Sequence, residues 1–353
     1  MERERSELRR LHSAALTEGG HVVLWAGGDA PDQMDAFKEA FEERFPGVTL
    51  EVLVDLSKFH DIRIDNELAR GTLTPDVAML QTTFDFERWK RQGVLAYYRP
   101  VGFDAQKPGY ADPDGAWITA FNYAFVPTYA ASLPEAQRPA SFAAFLRPPL
   151  AGRLVLTWPH DDDAVLYVYH RLIQQYGFQF LQTLARQNPL MLRGTAVPAE
   201  LVGSGEDFAG NLTAYPDVGP KAKRWIPTDA PFVVWNQRIA IFNKARHPAA
   251  ARLLLSYIGS AEFQSSYGGW RARADVGTAP GLPPLESLSN VDVHDFTRWM
   301  SDRAAVARLR GQMAALFGPV TGESPLRDLD LLKVLGLGPD RVVAPPEPAQ
   351  PPY

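Results

Sequence analysis

The residues with the clearest chemical potential in this 353-residue sequence are His160-Asp161-Asp162-Asp163. Apolar residues precede this run and recur at helical spacing after it, which predicts a turn between a strand and a helix. One interpretation is helix capping, because carboxylates accept hydrogen bonds from the free N–H groups of a first helical turn. The alternative is that one or two side chains among Asp161, Asp162 and Asp163 face a cleft. There they would bind an ammonium group or a divalent metal ion, since carboxylate oxygens suit magnesium, calcium and manganese.

A second group of polar residues, Lys58, His60 and Arg63, follows a predicted strand. A helix would carry His60, Arg63 and Glu67 on one face, because they are three and four residues apart. A solvated charged face is one interpretation of this pattern. The other is that Lys58, His60 and Arg63 gather at the start of a helix and bind a carboxylate or a phosphate, as helix N-termini readily do.

Residues of these two groups are also compatible with an enzyme as an alternative function. His60, His160 and Asp162 have side chains that can act as acid, base or metal ligand. The sequence contains neither a Gly-x-Ser-x-Gly nor a His-Glu-x-x-His motif, so no reaction class follows. Gly27-Gly28-Asp29 lacks the rest of a dinucleotide-binding fingerprint, and no Walker motif occurs, which argues against a nucleotide ligand.

The composition excludes several classes of function. Hydrophobic residues make up 46% of the chain and the formal net charge is -5. Such a chain can build a real core, and its charge does not attract nucleic acid or an anionic membrane. The absence of cysteine rules out thiolate catalysis, disulfides and Cys-ligated metal sites.

No targeting or membrane-spanning segment is evident in the sequence. The first ten residues are densely charged and lack the apolar stretch of a secretory signal. Nowhere do about 18 consecutive apolar residues occur, so we expect a soluble protein that is not embedded in a membrane. We expect it to be cytoplasmic if the chain is complete as written.

The first third of the chain alternates short apolar runs with helical patterns. The predicted strands are residues 21–26, 48–54 and 76–80. The predicted helices are residues 34–45, 62–69 and 84–92. This alternation predicts an α/β fold with a mostly parallel sheet and helices on both faces. Ligands bind at the carboxyl ends of such strands, which are residues 27–29, 55–60 and 81–83.

Two long extended segments divide the chain into two lobes. Residues 116–129 lead into a second lobe, which would contain a strand over residues 153–158, and residues 232–242 return from it. Asn122 and Trp235 lie on these crossings near the hinge. The predicted divisions are a charged N-terminal segment (1–19), the first part of lobe 1 (20–115), lobe 2 (116–231), a return to lobe 1 with C-terminal helices (232–340) and a proline-rich disordered tail (341–353).

Five segments of the chain resemble the extracellular solute-binding proteins of ABC importers, in the branch that includes ferric-iron binders. They are Val22–Asp29, Thr74–Thr82, Trp89–Leu95, Leu150–Thr157 and Ala245–Gln264. The resemblance implies a two-lobed periplasmic-binding-protein fold of type II, with two hinge crossings and a ligand trapped by closure of the lobes. It also implies a periplasmic or extracytoplasmic location, a monomer and, if the protein is exported, an ABC permease as partner.

The residues that bind iron in the ferric branch are not found at the matching positions of this sequence. The ferric branch usually has a His or Tyr after the first strand, where this sequence has Gly27-Gly28-Asp29. The branch also has two adjacent tyrosines in the second lobe, where this sequence has the single Tyr215. The resemblance therefore implies the fold without implying iron as the ligand.

The leading hypothesis is a binding protein that closes its lobes on a small polar or charged ligand, either a metal ion or a small organic anion. The rival hypothesis is an enzyme that uses the cleft as a reaction chamber. The predicted ligand-binding residues are Gly28, Asp29, Lys58, His60, Arg63, Gln81, Thr82, Asn122, His160, Asp161, Asp162, Arg193 and Trp235.

Overall fold

The computed structural model describes residues 2–204, 208–215, 220–227, 230 and 232–326, and the predicted proline-rich tail lies outside them. The helices of this part are α1 (Glu2–Glu18), α2 (Asp35–Arg44), α3 (Ser57–Arg70), α4 (Phe84–Arg91), α5 (Asp163–Tyr176), α6 (Phe178–Arg186), α7 (Ala196–Ser204), α8 (Pro248–Gly259), α9 (Ala261–Ser266), α10 (Asp295–Ser301) and α11 (Arg303–Phe317). The strands are β1 (His21–Gly27), β2 (Thr49–Asp55), β3 (Val77–Leu80), β4 (Ile118–Ala130), β5 (Val155–Thr157), β6 (Leu190–Leu192), β7 (Gly210–Ala214), β8 (Ala222–Arg224) and β9 (Val233–Ile241).

The first lobe is organised around β1, which is buried from Val22 to its end. β1 pairs in parallel with β2 on one side and with β3 on the other. Phe41 of α2 and Leu254 of α8 belong to the core on one face of this sheet. Ile64 of α3 and Trp89 of α4 belong to the core on the opposite face. The predicted α/β class, with helices on both faces, is confirmed.

The two crossings, β4 and β9, form one long antiparallel pair that joins the lobes. Their register runs from Ile118 opposite Ile239 to Phe125 opposite Val233. β9 also pairs with β3 of the first lobe, while β4 continues to β7 and β8 of the second, in each case antiparallel. The main sheet therefore has the order β2-β1-β3-β9-β4-β7, with β8 on β4. Its parallel part is β2-β1-β3, and the crossings add the antiparallel strands.

The second lobe has its own core around the short parallel pair β5 and β6. β5 is fully buried, and Leu166 of α5 and Leu181 of α6 pack in the same cluster. Phe296 and Met300 of α10 and Met313 of α11 join this cluster as well. The C-terminal helices thus follow the return crossing in sequence but pack on the second lobe.

α1 is an element that the sequence analysis treated only as a charged segment. Leu8, Leu11 and Ala15 are buried at helical spacing and pack in the first-lobe core with α8. The carboxylate of Glu18 accepts hydrogen bonds from the backbone N–H groups of Ala249 and Ala250, at 3.0 Å. α8 has no side-chain cap from its own N-cap residue. Glu18, at the end of α1, therefore caps the N-terminus of α8. Within the described ranges, no helix is long and apolar enough to cross a membrane.

Replacing Glu18 by alanine leaves the first N–H groups of α8 without an acceptor. We expect Glu18→Ala to lower the free energy of unfolding by about 1–2 kcal/mol, measured by urea denaturation. Glu7→Ala is the matched control, because among the described residues Glu7 forms its ion pair with the exposed Arg10 of the same helix, and the loss of this pair should lower the free energy of unfolding much less. Equal losses in the two variants would contradict the capping role.

Candidate functional site

The carboxyl ends of β1 and β3 are tied together by the start of α3. The Oγ of Ser57, the first residue of α3, accepts a hydrogen bond from the backbone N–H of Gln81 at 3.0 Å. A Cβ atom on Gly27 would lie 2.0 Å from that Oγ, so the end of β1 needs glycine here. α3 begins five residues earlier than the predicted helix, which places Lys58 and His60 in its first turn.

Both lobes and both crossings line a small cavity at this edge, the cleft cavity. Its lining residues are Gly27, Gly28, Asp29, Leu56, Ser57, Gln81, Tyr123, Phe125, Asp162, Thr195, Tyr215, Trp235 and Gln237. Its volume is about 20 Å³, enough for a particle the size of one water molecule. A second space of about 10 Å³ is lined by Leu56, Ser57, Lys58, Gln81, Thr82, Asp161, Asp162 and Asp163.

Asp29 connects the two lobes across the cleft cavity. Its Oδ2 accepts hydrogen bonds from the backbone N–H of Thr195 and from the Thr195 hydroxyl, the latter at 2.7 Å. Its Oδ1 is buried and has no hydrogen-bond partner among the described residues. The whole side chain is only 6% exposed. Because a buried carboxylate oxygen without a donor is costly, this atom is a strong candidate for contact with a ligand.

Asp162 has two roles in the structure. As N-cap of α5 its Oδ1 accepts hydrogen bonds from the N–H groups of Ala164 and Val165, at 2.7 and 2.9 Å, which confirms the capping interpretation. It also lines the cleft cavity. Burial raises the pKa of Asp162 to about 6, and the negative charges of Asp163 and Asp29 act in the same direction.

Asp161 and Asp163, the sequence neighbours of Asp162, form ion pairs with basic side chains and do not converge on one site with Asp162. Asp161 binds Lys58 of the first lobe, with 2.5 Å between Nζ and Oδ1, and Arg193 of its own lobe at 2.8 Å. Asp163 forms ion pairs with Arg303 and Arg310 of α11. Within the part of the chain that the structure describes, no three His, Cys, Asp or Glu side chains form a group that could hold a metal ion. The predicted metal ligands Asp161, Asp162 and Asp163 thus point to three different sets of partners.

The basic residues of α3 do not assemble into one anion site. His60 is fully buried, with its ring 5.1 Å from that of Trp25 and its Nε2 3.2 Å from the carbonyl oxygen of Ala26. Arg63 forms an ion pair with Asp55 at 2.5 Å. Together with the Lys58–Asp161 pair, these contacts separate the three side chains. His60 lies on the buried face of α3 together with Ser57 and Ile64, and so points to the core and not to the cleft.

Eight of the predicted ligand-binding residues line the two spaces in the cleft. They are Gly28, Asp29, Lys58, Gln81, Thr82, Asp161, Asp162 and Trp235. The five that do not are His60, Arg63, Asn122, His160 and Arg193. Asn122 hydrogen-bonds Asn236 and lines a different cavity of about 330 Å³. The His160 ring contacts the ring of Trp158, and burial lowers the pKa of His160.

The largest feature that the sequence analysis missed is a continuous aromatic surface in the cleft cavity, the aromatic wall. Its members are Tyr123, Phe125, Tyr215 and Trp235. Neighbouring ring centroids are 5.1 Å apart for Tyr123 and Tyr215, and 4.9 Å apart for Phe125 and Trp235. A signal was present in the sequence, since Tyr123 and Phe125 alternate along a strand and therefore point to the same face.

Comparison with known proteins connects this arrangement to one fold. No protein-family model matches the chain, and no curated protein matches it significantly. Among solved structures, iron-bound HitA from Pseudomonas aeruginosa has a TM-score of 0.65 and 17% identity, over 83% of this chain and 99% of HitA. AfuA from Actinobacillus pleuropneumoniae with bound fructose-6-phosphate has a TM-score of 0.69 and 16% identity, over 85% and 99%.

A third structure agrees with these two. The substrate-binding protein of an ABC transporter from Agrobacterium tumefaciens has a TM-score of 0.68 and 15% identity, over 85% of this chain and 95% of that protein. The chain therefore has the two-lobed fold of periplasmic substrate-binding proteins, as the sequence resemblance implied. At these identities the likeness establishes the fold, and the ligand has to be argued from the residues of this chain.

The burial of His60 predicts a defined pH dependence of stability. Burial lowers the pKa of His60 to about 3, whereas the unfolded chain takes up a proton near pH 6.5. The contribution of His60 is therefore complete above pH 6.5 and is lost as the pH falls from 6.5 towards 3. The loss amounts to roughly 1.4 kcal/mol per pH unit in that window.

His60→Phe and His60→Gln both remove the titrating group, and phenylalanine keeps a ring against Trp25. We expect the free energy of unfolding of either variant, measured by urea denaturation, to decrease less between pH 6 and pH 4.5 than that of the natural chain. Parallel pH dependences in all three proteins would contradict the assignment of a buried neutral imidazole.

Proposed function

We propose that this chain is a solute-binding protein of the kind that serves ABC importers, and that its two lobes close on a small polar or charged ligand. The observation that carries the proposal is the cleft cavity, to which both lobes and both crossings contribute. Asp29 of the first lobe and Thr195 of the second meet at its wall. A ligand bound there contacts both lobes at once and so favours the closed arrangement.

The structural neighbours support this proposal in general and leave the ligand open. HitA is described as iron-bound and AfuA with fructose-6-phosphate, so the same fold serves very different solutes. The proposal includes an ABC permease as partner, a location outside the cytoplasm and a monomeric state. These three points are what the resemblance to ABC-importer binding proteins implies.

The enzyme alternative receives less support from the arrangement of its residues. Of His60, His160 and Asp162, only Asp162 lines the cleft cavity. His60 lies in the core with its ring against Trp25. An acid–base pair needs both groups within hydrogen-bond reach of the reacting atoms.

Solute screening separates binding from catalysis. The purified chain is heated with a panel of metal ions, amines, carboxylates and sugar phosphates, and each stabilising compound is then recovered and analysed. A binding protein is stabilised by about 2.7 kcal/mol at 100-fold excess over Kd and returns the compound unchanged. Conversion of the compound would contradict the proposal, and so would a chain that retains no ligand in native mass spectrometry and is stabilised by none of the panel.

The Lys58–Asp161 ion pair should hold the empty lobes together. Lys58→Met removes this link between the lobes, while Asp161 keeps Arg193 within its own lobe. We expect a larger radius of gyration of the ligand-free variant in small-angle X-ray scattering, because the open form gains population.

Lys90→Met is the matched control for this prediction. Lys90 also forms ion pairs with aspartates, namely Asp112 and Asp114, but both lie in the first lobe with it. Its loss should leave the radius of gyration unchanged. If both substitutions expanded the protein equally, the effect would reflect general destabilisation instead of lobe opening.

A further inference from the structure

We propose that the ligand of the cleft cavity carries a primary ammonium group, which is held between the carboxylates of Asp29 and Asp162 and the aromatic wall. The inference rests on the proposed solute-binding function and names the chemical class of its ligand. It is carried by four features of the cavity, namely its charge, its aromatic rings, its size and an acceptor that lacks a donor.

The charge of the lining favours a cation. Asp29 and Asp162 both line the cleft cavity, and among its described lining residues there is no Lys, Arg or His. Lys58, which lines the second space, donates hydrogen bonds to the carboxylate and to the backbone oxygen of Asp161, each at 2.5 Å. A cation in the cavity thus meets two carboxylates and no competing positive side chain in the lining, whereas an anion would be repelled.

The unused oxygen of Asp29 marks where the donor would lie. Oδ2 of Asp29 is saturated by the two hydrogen bonds from Thr195, and Oδ1 is buried without a partner. An ammonium group supplies the missing N–H donor together with the compensating charge. Because the same carboxylate binds Thr195 of the second lobe, the donor would also stabilise the contact between the lobes.

The aromatic wall distinguishes an organic ammonium from a metal ion. Ring faces of Trp, Tyr and Phe attract the ammonium group of a lysine or of a ligand through their quadrupoles. The rings of Phe125 and Trp235 offer no oxygen ligand to a hard metal ion. Tyr123 and Tyr215 carry hydroxyl groups, but burial raises the pKa of both, which disfavours the phenolate form. In the described part of the chain, no three His, Cys, Asp or Glu side chains form a group that could hold a metal ion either.

The size of the cavity limits the ammonium group. About 20 Å³ accommodates one water-sized group, which corresponds to a primary –NH₃⁺ head. A trimethylated head is several times larger and would hold the lobes apart. The ligand class is therefore a primary amine, with weak or no binding of quaternary ammonium compounds.

Isothermal titration calorimetry on the full chain tests this inference with five probes. They are methylammonium, 1,4-diaminobutane, choline, ferric citrate and fructose-6-phosphate. We expect methylammonium and 1,4-diaminobutane to bind through a primary ammonium head, and choline to bind at least about tenfold more weakly than 1,4-diaminobutane because of its three methyl groups. The buffer contains no amine, so that it does not compete.

Variants locate the site and identify the interaction. Asp29→Asn keeps an oxygen for Thr195 but removes the charge, and should weaken diamine binding about 10- to 100-fold. Tyr215→Leu removes one ring and should weaken it about 2- to 30-fold, whereas Tyr215→Phe keeps the ring and should stay within about threefold of the natural chain. Asp112→Asn is the matched control, since Asp112 is also buried, at 3% exposure against 6% for Asp29, but does not line the cavity.

The outcomes separate this inference from the function on which it rests. Binding of ferric citrate that Tyr215→Phe abolishes would show a phenolate-bound metal and overturn the ammonium inference, while the solute-binding function would stand. Binding of fructose-6-phosphate in place of the amines would do the same. Diamine binding that is insensitive to Asp29→Asn would overturn the assigned site. If no amine binds in calorimetry or stabilises the chain against heating, the ligand class is wrong.

Discussion

The arrangement of the cleft depends on one buried carboxylate, that of Asp29. One of its oxygens is committed to Thr195 of the opposite lobe, and the other has no partner. A side chain that is 6% exposed cannot satisfy that second oxygen with bulk water. The structure therefore contains a buried acceptor without a hydrogen-bond donor at the place where the two lobes meet.

The rest of the fold positions this carboxylate. β1 delivers Asp29 to the sheet edge, and glycine at residue 27 lets Ser57 of α3 approach closely enough to fix the neighbouring strand end. β4 and β9 then connect the lobes and supply three of the four rings beneath the cavity. Because the hinge strands themselves line the cavity, a ligand there acts directly on the elements that must bend when the lobes move.

Much of the fold was predictable from the sequence because its signals are local. Buried parallel strands such as β1 read as apolar runs, and Gly71 marks the end of α3 in the left-handed conformation, at φ 70°. α1 was missed because its many charges hide a narrow apolar stripe at Leu8, Leu11 and Ala15. Its stability comes from packing on α8, which no local pattern reveals.

The site was predictable only in part, because its properties arise between distant residues. Asp29, Asp162 and Trp235 were predicted as ligand-binding residues and lie together in the cavity, although nothing in the sequence paired Asp29 with Thr195. His60 was predicted in the same way but lies in the core, because it shares the buried face of α3 with Ser57 and Ile64. The Asp29–Thr195 pairing and the burial of His60 depend on tertiary contacts, which a local sequence pattern does not reveal.

The most direct test is the distance between the lobes with and without ligand. The chain has no cysteine, so Ile62→Cys in the first lobe and Val197→Cys in the second allow clean labelling at positions that are 57% and 41% exposed. The account predicts that resonance energy transfer between the labels rises when 1,4-diaminobutane or another stabilising solute is added. It predicts a much smaller rise at the same concentration in the Asp29→Asn background. Binding of a solute with no change in the distance between the labels would contradict lobe closure.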